Sequence, residues 1–325
     1  MAEKRFSDLG RVEAIEALYA VSKYKRKESY LTPEADGSVL AVSALFTEGV
    51  DFNLVYFPYK HLGYRCVTAV TGELYASLAH PATLSVRLAV SSKLDFAEIK
   101  DLWTGIVTAA AAYGYADVDL DLGPSVNGLV ISLSATGSVS KLTAARRPRP
   151  KSKDLVCVSG SLGAAYLGMQ ALEREFKDLE KYKMIIGDYL KPEIAPETVS
   201  RLEKEEIYPS AGYLVTRGLA DACKRLSRAT GLGVKVYADR IPFEGGSFEL
   251  GKRLDIDPVS AAFNGGDDCR LLFTVPILQL EKFRREFQTF DIIGHLAQEE
   301  VGAVLVTPEG VELPLKAQGW KEETI

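Results

Sequence analysis

The chain has 325 residues, 47% apolar and 26% charged, with a net charge of −5. That length supports two domains with cores of their own, and the negative balance gives no electrostatic basis for a nucleic-acid partner. The opening MAEKRFSDLG is polar with no signal-peptide core, and no apolar run approaches the ~20 residues of a membrane span, so a soluble cytoplasmic protein is expected.

The first half alternates strands and helices. Residues 39–46, 84–90 and 129–134 read as strands, and in the second of these Leu84, Val86 and Leu88 fall on one face. Residues 95–113 read as a helix, because Phe96, Ile99, Trp103, Ile106 and Ala110 recur at helical spacing and Asp95 can cap the start. The basic, proline-bearing stretch AARRPRPKSK at 144–153 breaks the pattern and marks a domain boundary, which divides the chain into 1–145 and 146–325. The second half opens with a strand at 155–158, the turn Ser159-Gly160-Ser161-Leu162-Gly163 and a helix over 164–176. A glycine-bearing strand-to-helix turn offers free N–H groups at a helix N-terminus, which suits phosphate. It matches neither GxGxxG nor GxxxxGK[ST], so a plain connection is the competing reading. A helix over 218–230 carries Leu219, Ala222, Cys223 and Leu226 on one face and ends at Gly231, and a strand follows at 233–238. The class is α/β or α+β in two domains.

Cys66, Cys157, Cys223 and Cys269 are far apart, with no CxxC pair, and each lies in or beside an apolar run. Buried reduced thiols are expected. His61, His80 and His295 show no HxxxH or HExxH spacing, so a histidine metal site is not expected.

The most informative stretch is NGGDDCRLLFTVP at 264–276. Two glycines and two adjacent carboxylates form a polar turn, and the apolar run 271–275 follows at once. That pattern reads either as a solvated turn or as a loop that delivers acids to the mouth of a buried strand. The segment resembles the GGEDYELLFTVP signature of the thiamine-monophosphate kinases, in the AIR-synthase-like superfamily. Asp267 stands where that family has Glu, and Cys269 and Arg270 where it has Tyr and Glu. Further segments in the same order resemble the family: TEGVDFNL at 47–54, KHLGYR at 60–65, DLVCVSGSLGAAYLGMQAL at 154–172, TRGLADACKRLSRATGLG at 216–233, IIGHL at 292–296 and AQGW at 317–320. The resemblance implies a two-domain AIR-synthase-like fold whose N-terminal sheet forms a dimer interface. It also implies ATP-dependent, Mg2+-dependent phosphorylation of thiamine monophosphate to thiamine diphosphate, in a cleft between domains.

The departures fall on the acids. Phosphoryl transfer relies on cations between phosphate oxygens, and magnesium demands oxygen ligands. The family's GDDAA segment has no counterpart here; Arg26 and Lys27 lie nearest its place. Ala44, Leu214 and Arg217 occupy positions of family metal ligands. Glu73 and Asp121 keep acids, so the resemblance leaves a weak metal site at those two residues; the residues alone also allow two acids at solvated strand ends. Leu120 replaces a family glycine close to nucleotide, where a side chain would crowd the backbone's approach. Asp121, Arg147 and Thr216 match nucleotide-side positions, although Arg147 lies in a basic linker where a solvated arginine is the alternative. Asp51, Asp267 and Trp320 match substrate-side positions; Asp51 replaces a histidine and would repel a phosphate, and Trp320 could equally be a C-terminal aromatic packed on the domain.

The expected reading is a catalytically impaired or inactive homologue, too poor in acids for a multi-metal cluster, in which Arg217 pairs with Asp121 or Glu73 and stands where magnesium would. ATP and Mg2+ are thus both doubtful cofactors. A homodimer that binds an anionic small molecule, nucleotide or thiamine phosphate, is the expected assembly. The alternatives are a genuine kinase with altered metal use and a structural partner of an intact paralogue.

Overall fold

A computed structural model describes residues 39–320. In chain order the elements are β1 (Val39–Thr47), α1 (Tyr59–Ala76), β2 (His80–Ser91), α2 (Phe96–Ala112), β3 (Asp117–Ser125), β4 (Leu129–Ser138), α3 (Lys141–Arg146), β5 (Leu155–Ser159), α4 (Ala164–Glu173), α5 (Lys183–Leu190), α6 (Thr198–Lys204), β6 (Ala211–Val215), α7 (Leu219–Thr230), β7 (Gly233–Tyr237), α8 (Ser247–Leu254), α9 (Pro258–Asn264), β8 (Arg270–Val275), α10 (Leu280–Glu286), β9 (Phe290–Ala297), β10 (Ala303–Val306) and β11 (Glu312–Pro314). Strands β1 to β4 form one sheet in the order β1-β4-β2-β3, and β5 to β11 form a second in the order β11-β10-β7-β9-β5-β8-β6. The chain is mixed α/β, as its patterning predicts. Arg26 and Lys27 lie outside the described residues.

Alternation in the first sheet gives it two unlike faces. Leu84, Val86 and Leu88 of β2 and Leu129, Ile131, Leu133 and Ala135 of β4 are buried on one face. The other carries Ser43, Ser134, Thr83, Thr136, Ser85 and Arg87, with Ser43 bonded to Ser134 and Thr83 to Thr136 across strands. Strand β3 lies at an edge and pairs in parallel with β2, Val86 opposite Leu120 and Arg87 opposite Asp121.

Helix α1 joins the two sheets. Its buried residues share one apolar cluster with β2 and β4 of the first sheet and with Leu214, Leu271 and Phe273 of the second. Both sides of the helix are covered, so no polar stripe marks it in the sequence. Its β-branched run (Val67, Thr68, Val70, Thr71) and two glycines also speak against a helix by propensity. Packing overrides that preference. Thr68 and Thr71 return their hydroxyls to the carbonyls of Tyr64 and Val67 at 3.1 and 2.8 Å, and meet the hydroxyls of Tyr113 and Tyr115. Gly72 is required by the close approach: a Cβ there would collide with the Leu214 side chain. Glu73 therefore stands on a buried helix, which removes the alternative of a solvated strand end for this residue.

The other expected elements are present. The helix over 95–113 is α2, where Glu98 accepts the backbone N–H of Asp95 at 3.1 Å. Gly231 ends α7 in the left-handed conformation, φ 66°. All four cysteines are buried and free, and burial pushes their thiols well above the ordinary range. Among the described residues no helix is long and apolar enough to cross a membrane.

Candidate functional site

Beyond Lys60 in its first turn, helix α1 carries the charged residues Arg65 and Glu73, eight positions apart and so roughly 12 Å along the axis at 1.5 Å per residue. Each anchors a cluster that joins the two halves of the chain.

Arg65 is buried, yet it keeps its charge by geometry. Its Nη2 meets Oδ1 of Asp267 at 2.6 Å, and its Nη1 donates to the backbone carbonyl of Asp51 at 3.4 Å. Its guanidinium lies over the rings of Tyr189 and Phe57, 4.8 and 5.3 Å from their centroids. Burial opposes the charge, but the Asp267 carboxylate more than offsets it, so the pKa of Arg65 lies above its ordinary value. The structure thus brings together Asp51 and Asp267, the two acids on the expected substrate side, and places a cation between them. The Asp51 carboxylate itself turns back to the backbone N–H of Thr47 at 2.8 Å.

The loop that delivers Asp267 hangs from the end of β6. The backbone N–H of Asp267 donates to Thr216 and that of Cys269 to Val215, both at 2.9 Å. Asp267 and Cys269 adopt φ of +67° and +50°, a conformation that costs about 1–3 kcal/mol for a residue other than glycine and persists only where surroundings impose it. Between them, Asp268 is buried and accepts from Gly163 N at 2.9 Å and Ala165 N at 3.2 Å. Burial raises its pKa to about 7, while the two N–H groups pull it down. This corrects the expectation for the turn at 159–163. Two of the N–H groups at the start of α4 are already taken by the chain's own carboxylate. Next to them, Arg270 bonds Ser161 O at 3.2 Å and the Asp188 carboxylate at 2.6 Å, and Ser161 Oγ donates to the same carboxylate at 3.2 Å.

The second cluster surrounds Glu73. Nη1 of Arg225 lies 3.8 Å from Oε1 of Glu73 and 3.9 Å from Oδ2 of Asp221. Burial chiefly pushes the pKa of Glu73 above its usual value; Arg225 draws it down and Asp221 pushes it up again. The second Asp221 oxygen accepts Nε1 of Trp320 at 2.7 Å, and Arg228 and Lys224 lie over the Trp320 ring at 4.4 and 5.3 Å. Trp320 is therefore packed on α7.

Two expectations and one alternative reading fail against this arrangement. Arg217 is exposed and makes no ion pair with Glu73 or Asp121; Arg225, one helical turn after Asp221, takes that place. Glu73 and Asp121 do not converge within the chain, because Asp121 shares the open face of the sheet with Arg87 while α1 covers the opposite face. Arg147 is not a solvated linker residue: it is half-buried and donates to Pro209 O at 3.1 Å and Ser77 O at 3.2 Å, tying one half to the other. Leu120 projects on the face opposite Asp119 and Asp121, and Leu214 is buried against α1.

Arg225, Asp221, Asp188, Tyr189 and Phe57 were absent from the sequence reading. The Asp221-Arg225 spacing of four on a helix was visible, but no local signal places Glu73 of a distant helix beside them. Among the described residues, no group of three or more His, Cys, Asp or Glu is placed to hold a metal ion. The magnesium that the resemblance implies does not fit the donors described here: Glu73 faces a guanidinium and Asp121 lies on the other side of a sheet.

No family model matches the chain. It is 23% identical over 284 residues to the thiamine-monophosphate kinase of Aquifex aeolicus, covering 87% of each chain. The structure of AaThiL complexed with AMPPCP and TMP superposes with a TM-score of 0.81 at 20% identity, covering 96% of this chain and 97% of that one. Escherichia coli HypE, a hydrogenase maturation protein, superposes at 0.65 with 19% identity, covering 87% and 86%. The fold is AIR-synthase-like, and the chain is a divergent relative of the thiamine-monophosphate kinases.

Proposed function

We propose that this divergent relative of the thiamine-monophosphate kinases is a catalytically impaired or inactive homologue that keeps the fold and the cleft between its halves, 1–145 and 146–325. The observation that carries the reading is the guanidinium of Arg225 between Glu73 and Asp221. Phosphoryl transfer draws its rate from cations and donors aimed at the transferred group. A guanidinium neutralises a carboxylate but offers no open coordination position to a phosphate oxygen. Step by step, this chain's residues can hold the walls of a cleft: Arg65 fixes Asp267 and the Asp51 loop, Asp268 holds the start of α4, and Arg147 ties α1 to the second half. In this reading Thr216 lines the nucleotide side, Trp320 the substrate side, and the open face of the first sheet meets a second copy. An anionic small molecule, nucleotide or thiamine phosphate, is the proposed ligand.

The test is to incubate pure protein with ATP, Mg2+ and thiamine monophosphate and to measure thiamine diphosphate. The expected outcome is no turnover above a no-enzyme control. Clear turnover overturns the proposal in favour of a kinase with altered metal use. With turnover absent, calorimetry with ATP, ADP and thiamine monophosphate separates a binding protein from a structural partner.

A further inference from the structure

Two asparagines in the chain precede glycine, as Asn127-Gly128 and Asn264-Gly265. Such pairs are chemically labile, because a glycine nitrogen, unhindered by a side chain, can attack the neighbouring amide. The fold treats the two oppositely. Asn264 closes α9, and Gly265 continues in the right-handed conformation, φ −71° and ψ −45°. The Gly265 N–H is spent on Ala261 O at 2.8 Å, and a Cβ added to Gly265 would stand 2.5 Å from Cβ of Tyr166, so this pair is packed and its nitrogen occupied. Asn127 lies in the link 126–128, which leaves the edge strand β3 at Ser125, passes over the end of β2 and enters β4 at Leu129. Val126 and Asn127 are exposed. Ser91 N at the end of β2 donates to Gly128 O at 3.1 Å, and Ser125 Oγ to Asn127 O at 2.8 Å. The N–H of Gly128 meets no acceptor among the described residues.

The link has little choice of residue at 128. Its φ is +66°, and a Cβ there would lie 2.6 Å from Oε2 of Glu48, an oxygen already held by the Leu129 N–H at 2.8 Å. The crossing over β2 therefore dictates the labile neighbour of Asn127. We propose that Asn127 is a site of spontaneous deamidation. The Gly128 nitrogen loses its proton to solvent base and bonds to the side-chain carbonyl carbon of Asn127. The amide C–N bond breaks, ammonia leaves with a proton from water, and a succinimide remains. Water then opens either carbonyl of that ring, giving aspartate or isoaspartate with no change of oxidation state. Each event adds a carboxylate one residue from the link's contact with Glu48, and the isoaspartate branch adds a carbon to the main chain of a three-residue link. The modification is independent of any activity in the cleft.

The experiment ages the full chain in mildly alkaline buffer, folded and in urea, beside the variant Asn127→Gln, whose longer side chain must close a larger and slower-forming ring. Peptide mass spectrometry reads aspartate and isoaspartate at each asparagine, and native isoelectric focusing reads the acidic species formed. In the folded protein Asn127 converts at least about tenfold faster than Asn264, the factor that an opening cost of about 1.4 kcal/mol at the end of α9 imposes. In urea the two rates come together. The acidic species accumulates in wild type and is lost in Asn127→Gln. Folded protein in which Asn264 converts as fast as Asn127, or in which Asn127 stays intact, overturns the proposal. So does an acidic species that accumulates equally in Asn127→Gln.

Discussion

The two ends of helix α1 solve the same problem differently. At one end a buried cation, Arg65, is met by an acid at 2.6 Å and enclosed by two aromatic rings. At the other a half-buried acid, Glu73, is met by a cation at 3.8 Å that also attends to Asp221. The close contact is a hydrogen-bonded pair whose loss exposes an uncompensated charge. The wider one is charge balance at a distance, shared between two acids. The tight pair marks a joint in the architecture.

The largest effect expected from this contrast comes from Asp267→Asn. It keeps the shape of the side chain and leaves Arg65 buried without its acid. Breaking a buried pair on one side costs about 3–5 kcal/mol, and since Asp267 is 37% exposed and partly reached by water the lower figure, about 3 kcal/mol, is expected in urea denaturation. Replacing both partners, as Arg65→Met/Asp267→Asn, should recover part of the loss. A single-variant cost no larger than that of a surface change would remove the distinction between the two ends.

A smaller effect is expected at Asp268→Asn, whose amide can accept from only one of Gly163 N and Ala165 N. A buried donor left unmet costs about 1–3 kcal/mol. This variant also changes the pH dependence. Burial raises the Asp268 pKa from 3.8 to about 7, so the folded state favours the protonated form. The associated stability is fully present below the unfolded value of 3.8 and is lost as pH rises to about 7. Denaturation midpoints across that window should fall with pH in wild type and fall less in Asp268→Asn. Equal slopes would show that the two N–H groups keep Asp268 ionised throughout.

The smallest effect is expected on the open face of the first sheet. Arg87 and Asp119 pair at 2.7 Å with both side chains about half exposed, and Ser85 donates to the same acid. These bonds hold the Asp119 pKa below its ordinary value. Exposed pairs contribute little to stability, so Asp119→Asn should leave the monomer's denaturation midpoint unchanged. A shift in sedimentation on the same substitution would show that this face is covered by a second copy.

Most elements were legible where burial is one-sided. Strands β2 and β4 and helices α2 and α7 each keep an apolar face and a polar one, and that alternation is a local property of the chain. Helix α1 escaped the pattern because both of its sides are covered, and its β-branched residues and glycines argue for something else when read alone. The candidate site was legible in part. The loop at 264–269 announced its acids through its glycines and paired carboxylates, and the family resemblance pointed to Glu73.

What the sequence determined by itself was the class of fold, the family it resembles, and the thinning of acids at Ala44, Leu214 and Arg217. Which charges meet was decided only by tertiary structure. Arg65 finds Asp267 across 202 positions, and Arg225 rather than Arg217 reaches Glu73, because α1 lies between the two sheets and presents its ends to loops and helices of the other half. Electrostatic pairing depends on distance and burial in space, and neither is a property of a residue or of its neighbours along the chain.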